Sequence, residues 1–433
     1  MSASAANFRP ELLCPAGSPE AMRMAFAYGA DAVYAGEPRY SLRVRNNSFT
    51  LDNLGDCIEE AHQRGKRFYV VVNIAPHNTK LTRFVEHMRT IVDMQPDALI
   101  VSDPGVVMLL QEHFPEQPLH LSVQANTINW AALKFWQKQG IERVILSREL
   151  GLKEIAEMRQ QVPDIEVEVF VHGALCMAYS GRCLLSGYMN KRDPNQGACT
   201  NACRWGYEVH EAKENAVGQY DPVLLGDPKK PQDLMLLDED QHGSYIMNSK
   251  DLRAVEYVND LVKMGVHSLK IEGRTKSDYY IARTAQVYRQ AIDDAVAGKP
   301  FNPALLNDLE GMANRGFTAG FLQRHTPQDL QNYERSHSEG QHLLVGQLCH
   351  AHGDGRYQVA VKNGFAIGDE LLLMTPNGNH RFQLADMTSI RDEAMIRAPG
   401  SGYTVVLNTP VAIDEKDIPY CFLVKENLAR KAA

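Results

Sequence analysis

Eight times between residues 11 and 273 a short β-branched or apolar run is followed by a longer amphipathic stretch. The runs are ELLCPAG (11–17), DAVYAG (31–36), FYVVVN (68–73), ALIVSD (98–103), LHLSVQAN (119–126), RVILSREL (143–150), EVEVFVHG (166–173) and SLKIEG (268–273). Each is too short and too rich in branched residues for a helix, and each ends in a polar or glycine-bearing loop. The intervening stretches carry helix signals. Ser18 precedes Pro19, an N-cap followed by proline at the first helical position. The stretch from Thr50 stops at Gly65, and NWAALKFWQKQG stops at Gly140. SKDLRAVEYVNDLVKMG is expected as a helix from a Ser249 cap to Gly265. Strands alternating with helices imply parallel βαβ units. Eight of them suit an α/β fold of the (β/α)8 TIM-like barrel type better than an open sheet, where about six strands are usual. The absence of GxGxxG after the first run argues against a dinucleotide-binding sheet.

The repeat breaks once. About 95 residues separate Gly173 from Ser268, and an insertion this long is usually functional. A TIM-barrel-like catalytic domain is therefore expected over 1–330, with a cysteine-bearing insertion at 174–267. From about residue 340 the pattern becomes short alternating runs with turn signals, among them the hairpin signal PNGN at 376–379. This predicts a small all-β barrel domain over 340–433.

Composition limits the function classes. With 44% hydrophobic and 23% charged residues the chain reads as globular. No apolar run reaches the roughly 18–20 residues of a membrane span, so no membrane partner is expected. MSASAANFRP lacks an apolar signal core, so a cytoplasmic location is expected, where disulfides are disfavoured. A net charge of −8 argues against a large basic surface for non-specific nucleic-acid binding but leaves room for local clusters. Arg39, Arg43 and Arg45 form one such cluster; Lys191, Arg192 and Arg204 form another.

Barrels of this kind work at the C-terminal ends of their strands. That rule singles out Asn73, Asp103, Gln124, Asn126, Arg148, Glu149, His172, Glu272 and Arg274, with the arginines after the second run. Amides, a histidine and arginines on one face suit a multiply charged, oxygen-rich ligand, with His172, Gln124, Asn126 and Glu272 as candidate catalytic groups. The insertion opens with four of the eight cysteines, Cys176, Cys183, Cys199 and Cys203, spaced C-x6-C-x15-C-x3-C. Structural zinc prefers two tight pairs, and only Cys199 and Cys203 make one. Four thiolates also hold an iron–sulfur cluster, where spacing is looser. Spacing alone favours a cluster and leaves zinc open. No HExxH or GxSxG occurs, and a separation of only four positions makes His172 and Cys176 a poor base–nucleophile pair.

EVFVHGALCMAYSGRCLLS resembles the signature of the peptidase U32, or collagenase-like, family, through Glu168, Phe170, Gly173, Ala174, Cys176, Gly181, Cys183 and Ser186. ELLCPAG, ADAVYAG, SVQAN and KIEGR are further landmarks of that family. The run through CTNACRW is similar to a tRNA-modifying branch of it. The resemblance implies an oxygen-independent hydroxylase that converts the wobble uridine of tRNA to 5-hydroxyuridine. It implies prephenate as co-substrate and an iron–sulfur cluster, expected as [4Fe–4S], on Cys176, Cys183, Cys199 and Cys203, loaded by the iron–sulfur assembly machinery. Arg43, Arg45, Arg148 and Arg274 are then candidates for the prephenate carboxylates. Tyr188, Lys191, Arg192 and Arg204, with Trp205, are candidates for holding the anticodon loop. The alternatives are a collagenase-like peptidase and a non-catalytic RNA-binding protein with structural zinc.

Overall fold

The computed structural model describes residues 8–42, 47–175, 250–314, 316–323 and 342–426, with the strand backbone at 208–210, 223–227, 230–237, 239–240 and 243–244. Eight parallel strands are paired in chain order: β1 (Glu11–Pro15), β2 (Ala32–Gly36), β3 (Arg67–Val72), β4 (Ala98–Val101), β5 (Leu119–Leu121), β6 (Arg143–Ile145), β7 (Glu166–Ala174) and β8 (Ser268–Ile271). β8 pairs with both β7 and β1, which closes the barrel. A main helix follows each strand: α1 (Pro19–Ala27), α2 (Leu51–Gln63), α3 (Phe84–Val92), α4 (Pro104–His113), α5 (Trp130–Lys138), α6 (Leu152–Gln161), α7 (Val258–Lys263) and α8 (Asp278–Val296). All eight expected strands are present, and the fold is the expected TIM-like barrel followed by an all-β domain.

The start and stop signals act as expected. Ser18 Oγ accepts the Ala21 N–H at 3.1 Å at the head of α1. Gly65 and Gly140 take φ of +66° and +74° just past α2 and α5, a left-handed conformation that costs glycine little. One expectation is corrected. The helix predicted from Ser249 to Gly265 begins only at Val258, and Ser249 itself lies outside the described residues. Asp251–Arg253 instead forms a short strand, antiparallel to His172–Ala174 at the end of β7. Ladder pairing with an overlong β7 outweighs the local helical pattern. Both ends of the insertion are thus tied to the C-terminal end of β7. Within it, 208–210, 223–227 and 230–237 form a three-stranded antiparallel sheet, where the sequence read only as polar and weakly periodic.

The strands are buried on both faces, which is why they read as continuous apolar runs. Leu12, Cys14, Val33, Phe68, Val70, Leu99 and Val144 face outward into the helices. Leu13, Tyr34, Tyr69, Val71, Ile100, Ile145 and Phe170 fill the lumen. Charge fills the lumen as well. Arg143 donates to Glu11 at 2.6 Å and lies 3.4 Å from Glu168, and Lys270 donates to the other Glu168 oxygen at 2.7 Å. Tyr69, Ser268 and Arg67 complete the shell of Glu11, at 2.6, 3.1 and 3.1 Å. Glu11, Arg143, Glu168 and Lys270 are all under a tenth exposed. Burial pushes the Glu11 carboxyl up, but Arg143 and the Tyr69 hydroxyl outweigh it and hold it below its usual value.

Residues 342–426 form a seven-stranded antiparallel sheet and a two-stranded ladder around a core that includes Val345, Val359, Leu373, Val405 and Leu423. The PNGN hairpin is present, with Thr375 opposite Gly378. This domain packs on α1 and α8: Tyr28 OH donates to the Tyr420 carbonyl at 2.7 Å, and the Tyr279 and Phe422 rings meet edge to face at 5.7 Å.

Arg143→Met is expected to destabilise the protein by about 3–5 kcal/mol, because it leaves two carboxylates buried without their guanidinium. A urea midpoint unchanged from wild type would refute that role for Arg143.

Candidate active site

The C-terminal mouth rests on two aromatic rings, each shared by two cations. Lys270 Nζ sits 4.2 Å from the Tyr34 ring centre and 5.5 Å from that of Phe170. Arg274 lies 5.7 Å from Tyr34, and Arg148 stacks 3.9 Å above Phe170. Lys270 is the last lumen-facing residue of β8, and the turn that follows brings Glu272 to Arg148 and Arg274 to the Tyr34 ring. Glu272 pairs with Arg148, whose other terminal nitrogen donates to the Ala174 carbonyl at 2.7 Å. Two glycines make this approach possible. A side chain at Gly36 would strike Ser41 Oγ and Arg274, and one at Gly173 would lie 2.5 Å from the Glu272 carbonyl oxygen. Burial, reinforced by Glu272, holds the Tyr34 hydroxyl protonated well above its ordinary range.

The wall over β2 to β5 is a hydrogen-bonded chain. The Glu37 carboxylate, 1% exposed, accepts the backbone N–H groups of Arg39 and Tyr40 at 2.7 and 2.6 Å and pairs with His87 Nε2 at 2.7 Å. It thereby shapes the loop that leads to Arg43 and Arg45. Leu42 N–H then donates to Asn73 Oδ1, and Asn73 Nδ2 donates to Gln124 Oε1 at 2.5 Å. Gln124 Nε2 returns to the Asn73 carbonyl at 2.8 Å. Asn126, at φ +51°, donates to the Gln124 carbonyl and keeps Oδ1 buried without a partner among the described residues. Arg148 Nε and Glu149 Oε2 are likewise buried and unpartnered among the described residues.

The structure therefore brings Arg148 together with Glu272, and Gln124 with Asn126 and Asn73. Asp103 serves as the N-cap of α4, accepting Val106 N–H at 3.0 Å. His172 is placed elsewhere. A bulge between β7 and β8 shifts the register beside it, and its ring packs against Tyr280, Tyr288 and Phe317 at 5.5–5.7 Å. It is 1% exposed, and burial pushes its pKa down to about 3, so near neutral pH it is an uncharged packing residue. Cys14 points outward, into the layer between barrel and helices. Arg43 and Arg45, Tyr188, Lys191, Arg192 and Arg204, and all four clustered cysteines lie outside the described residues. Sequence reasoning missed Lys270, Glu37 and His87. The alternation within β8 was the available signal for Lys270; nothing local pairs Glu37 with a histidine 50 residues later.

Residues 17–332 match Peptidase family U32, and residues 341–419 match the Peptidase family U32 C-terminal domain. The chain belongs to peptidase family U32. Relatives of this U32 chain include tRNA hydroxylation protein P of Escherichia coli (strain K12), 59% identical with 96% of this chain and 97% of that protein covered. The protein of the same name from Haemophilus influenzae is 56% identical, with 94% and 95% covered. A protein named Collagenase from Porphyromonas gingivalis is 28% identical, with 91% and 88% covered. Among the described residues no helix of the U32 barrel is long and apolar enough to cross a membrane.

The buried His172 is expected to make the U32 fold acid-sensitive. Its folded pKa of about 3 lies below the unfolded 6.5, so below pH 6.5 the unfolded chain binds a proton that the folded chain refuses. Stability is expected to fall as pH drops from 6.5, by roughly 2 kcal/mol at pH 5, at about 1.4 kcal/mol per unit. Urea midpoints at pH 7 and pH 5 check this: His172→Phe should show a smaller drop than wild type, and an equal drop would count against it.

Proposed function

We propose that this chain is a tRNA-modifying enzyme that hydroxylates the wobble uridine to 5-hydroxyuridine without molecular oxygen, with prephenate as co-substrate and an iron–sulfur cluster. The observation that carries the reading is the near full-length, 59% identity with a tRNA hydroxylation protein. The uridine, prephenate and the cluster rest on the resemblance of the segment around Cys176.

The mouth is compatible with a base that has left its stack. Arg148 Nε is a buried donor and Asn126 Oδ1 a buried acceptor, each without a partner among the described residues. Buried polar atoms in that state need a reason. A uracil edge carries both complementary kinds of group. Arg148 is oriented by Glu272 and Ala174 before any ligand arrives, so little ordering remains to be done on binding. Arg148 and Arg274 at the mouth, with Arg43 and Arg45 from the loop after β2, are the proposed receivers of two carboxylates. Tyr188, Lys191, Arg192 and Arg204 are the proposed contacts to the anticodon loop.

Cys176, Cys183, Cys199 and Cys203 would hold the cluster. Four thiolates suit [4Fe–4S], and Leu175, the residue before Cys176, is packed in the lumen cluster, so the chain leaves the barrel at its mouth. When bound, the cluster supplies redox chemistry beside the substrate. The peptidase alternative draws on the Collagenase relative, but the histidine nearest the mouth signature, His172, is buried among rings.

Nucleoside mass spectrometry of tRNA from a deletion strain tests the reading. Derivatives of 5-hydroxyuridine should vanish once oxygen-dependent routes are also removed, and this chain should restore them; their persistence sinks the proposal. Arg148→Gln is expected to lower kcat/KM at least about tenfold, the loss of one charge-assisted contact. Anaerobically purified wild type should contain iron and sulfide, and Cys176→Ala should lose them. Zinc in place of iron would support the structural-zinc alternative.

A further inference from the structure

The end of the barrel opposite the mouth holds a cavity of about 400 Å³, bounded by the segments that lead into β1, β2, β3 and β8 and by the first residues of β6 and β7. In this class of barrel that face serves stability rather than catalysis. Its volume lies within the range of small-molecule sites, about 300–1,000 Å³.

Three carboxylates reach the cavity, and all are already matched. Glu11 receives Arg143, Tyr69, Ser268 and Arg67. Asp31 receives the Leu12 N–H and Arg289, at 2.9 and 2.8 Å. Glu166 receives Arg143 Nε at 2.7 Å.

The donors are matched less fully. Lys66 makes no ion pair among the described residues, although it is half buried. Arg67 gives Nη1 to Glu11 at 3.1 Å, and its side chain remains 58% exposed. His267 Nδ1 accepts the Val167 N–H at 3.3 Å, which leaves the ring proton on Nε2. Arg9, on the rim, pairs with the half-exposed Asp293. Burial lowers the Lys66 pKa, with Asp31 pulling it back in part, as for a cation lacking a close counter-ion.

We infer that this cavity is a second ligand site, for a small oxyanion such as the phosphate or carboxylate of a metabolite, received by Lys66 and Arg67 with His267 Nε2–H as a neutral donor. A guanidinium, an ammonium and an imidazole N–H around one concavity match the several acceptor oxygens of such a group. A bound anion would also restore the ammonium that burial disfavours. The site shares no residue with the mouth, so its test stands apart from the proposed hydroxylation.

The probe is inorganic phosphate, titrated calorimetrically into the full chain at constant ionic strength, with potassium chloride as the screening control. Saturable binding is expected, together with a melting temperature that rises with phosphate and not with chloride. Lys66→Met and Arg67→Gln should each weaken binding about tenfold, and Lys66→Arg should retain it. Lys66 has no ion pair to lose among the described residues, so melts in chloride should show Lys66→Met folded as wild type; Arg67→Gln is an independent second variant. Absence of saturable binding, or equal affinity in Lys66→Met and Arg67→Gln, would overturn the inference.

Discussion

The Glu11–Arg143–Glu168–Lys270 column is the interaction on which the rest of the barrel depends. Its members come from β1, β6, β7 and β8, and Tyr69 of β3 joins them. Aliphatic side chains usually fill such a lumen and tolerate small shifts. Ionic groups do not, because each buried charge is costly unless its partner stands at hydrogen-bond distance. The column therefore demands the strand register that closes the barrel. Its upper end also sets the mouth, since Lys270 lies against the two rings that carry Arg148 and Arg274.

That arrangement separates two kinds of polar residue at the strand ends. Some are consumed by the scaffold: Asp103 caps α4, the Asn73–Gln124 amides tie β3 to β5, and Glu37 with His87 holds the loop after β2. Others keep unused hydrogen-bonding capacity, notably Arg148 Nε and Asn126 Oδ1. Only the second kind is free to recognise a ligand. The insertion leaves the barrel beyond Leu175 and is tied back, through Asp251–Arg253, to this same face.

Periodicity made the barrel legible. Strand length, branched residues and glycine stops are local properties, and strands covered on both faces read as apolar runs wherever they occur. The position of the mouth followed from topology alone. The role of each residue there was not legible, because it depends on contacts across strands. His172 follows an apolar strand as Gln124 and Glu272 do, yet a bulge in β7 places its ring against α8, among Tyr280 and Tyr288. The helix expected from Ser249 failed for a related reason: β7 runs long enough to recruit Asp251–Arg253 as a partner strand.

The sequence by itself determined the eightfold βα repeat, the all-β domain after it and the clustering of four cysteines at the seventh strand's end. These are patterns within one segment, set by short-range sterics and hydrophobic periodicity. The tertiary structure alone decided which polar groups are neutralised and which remain available. It buried a charge column in the lumen, joined Arg148 to Glu272 across 124 positions and left Lys66, among the described residues, without an ion-pair partner at the opposite end. The physical reason is that a hydrogen bond or ion pair depends on distances of a few ångströms between groups far apart in the chain, and only the closed barrel sets those distances.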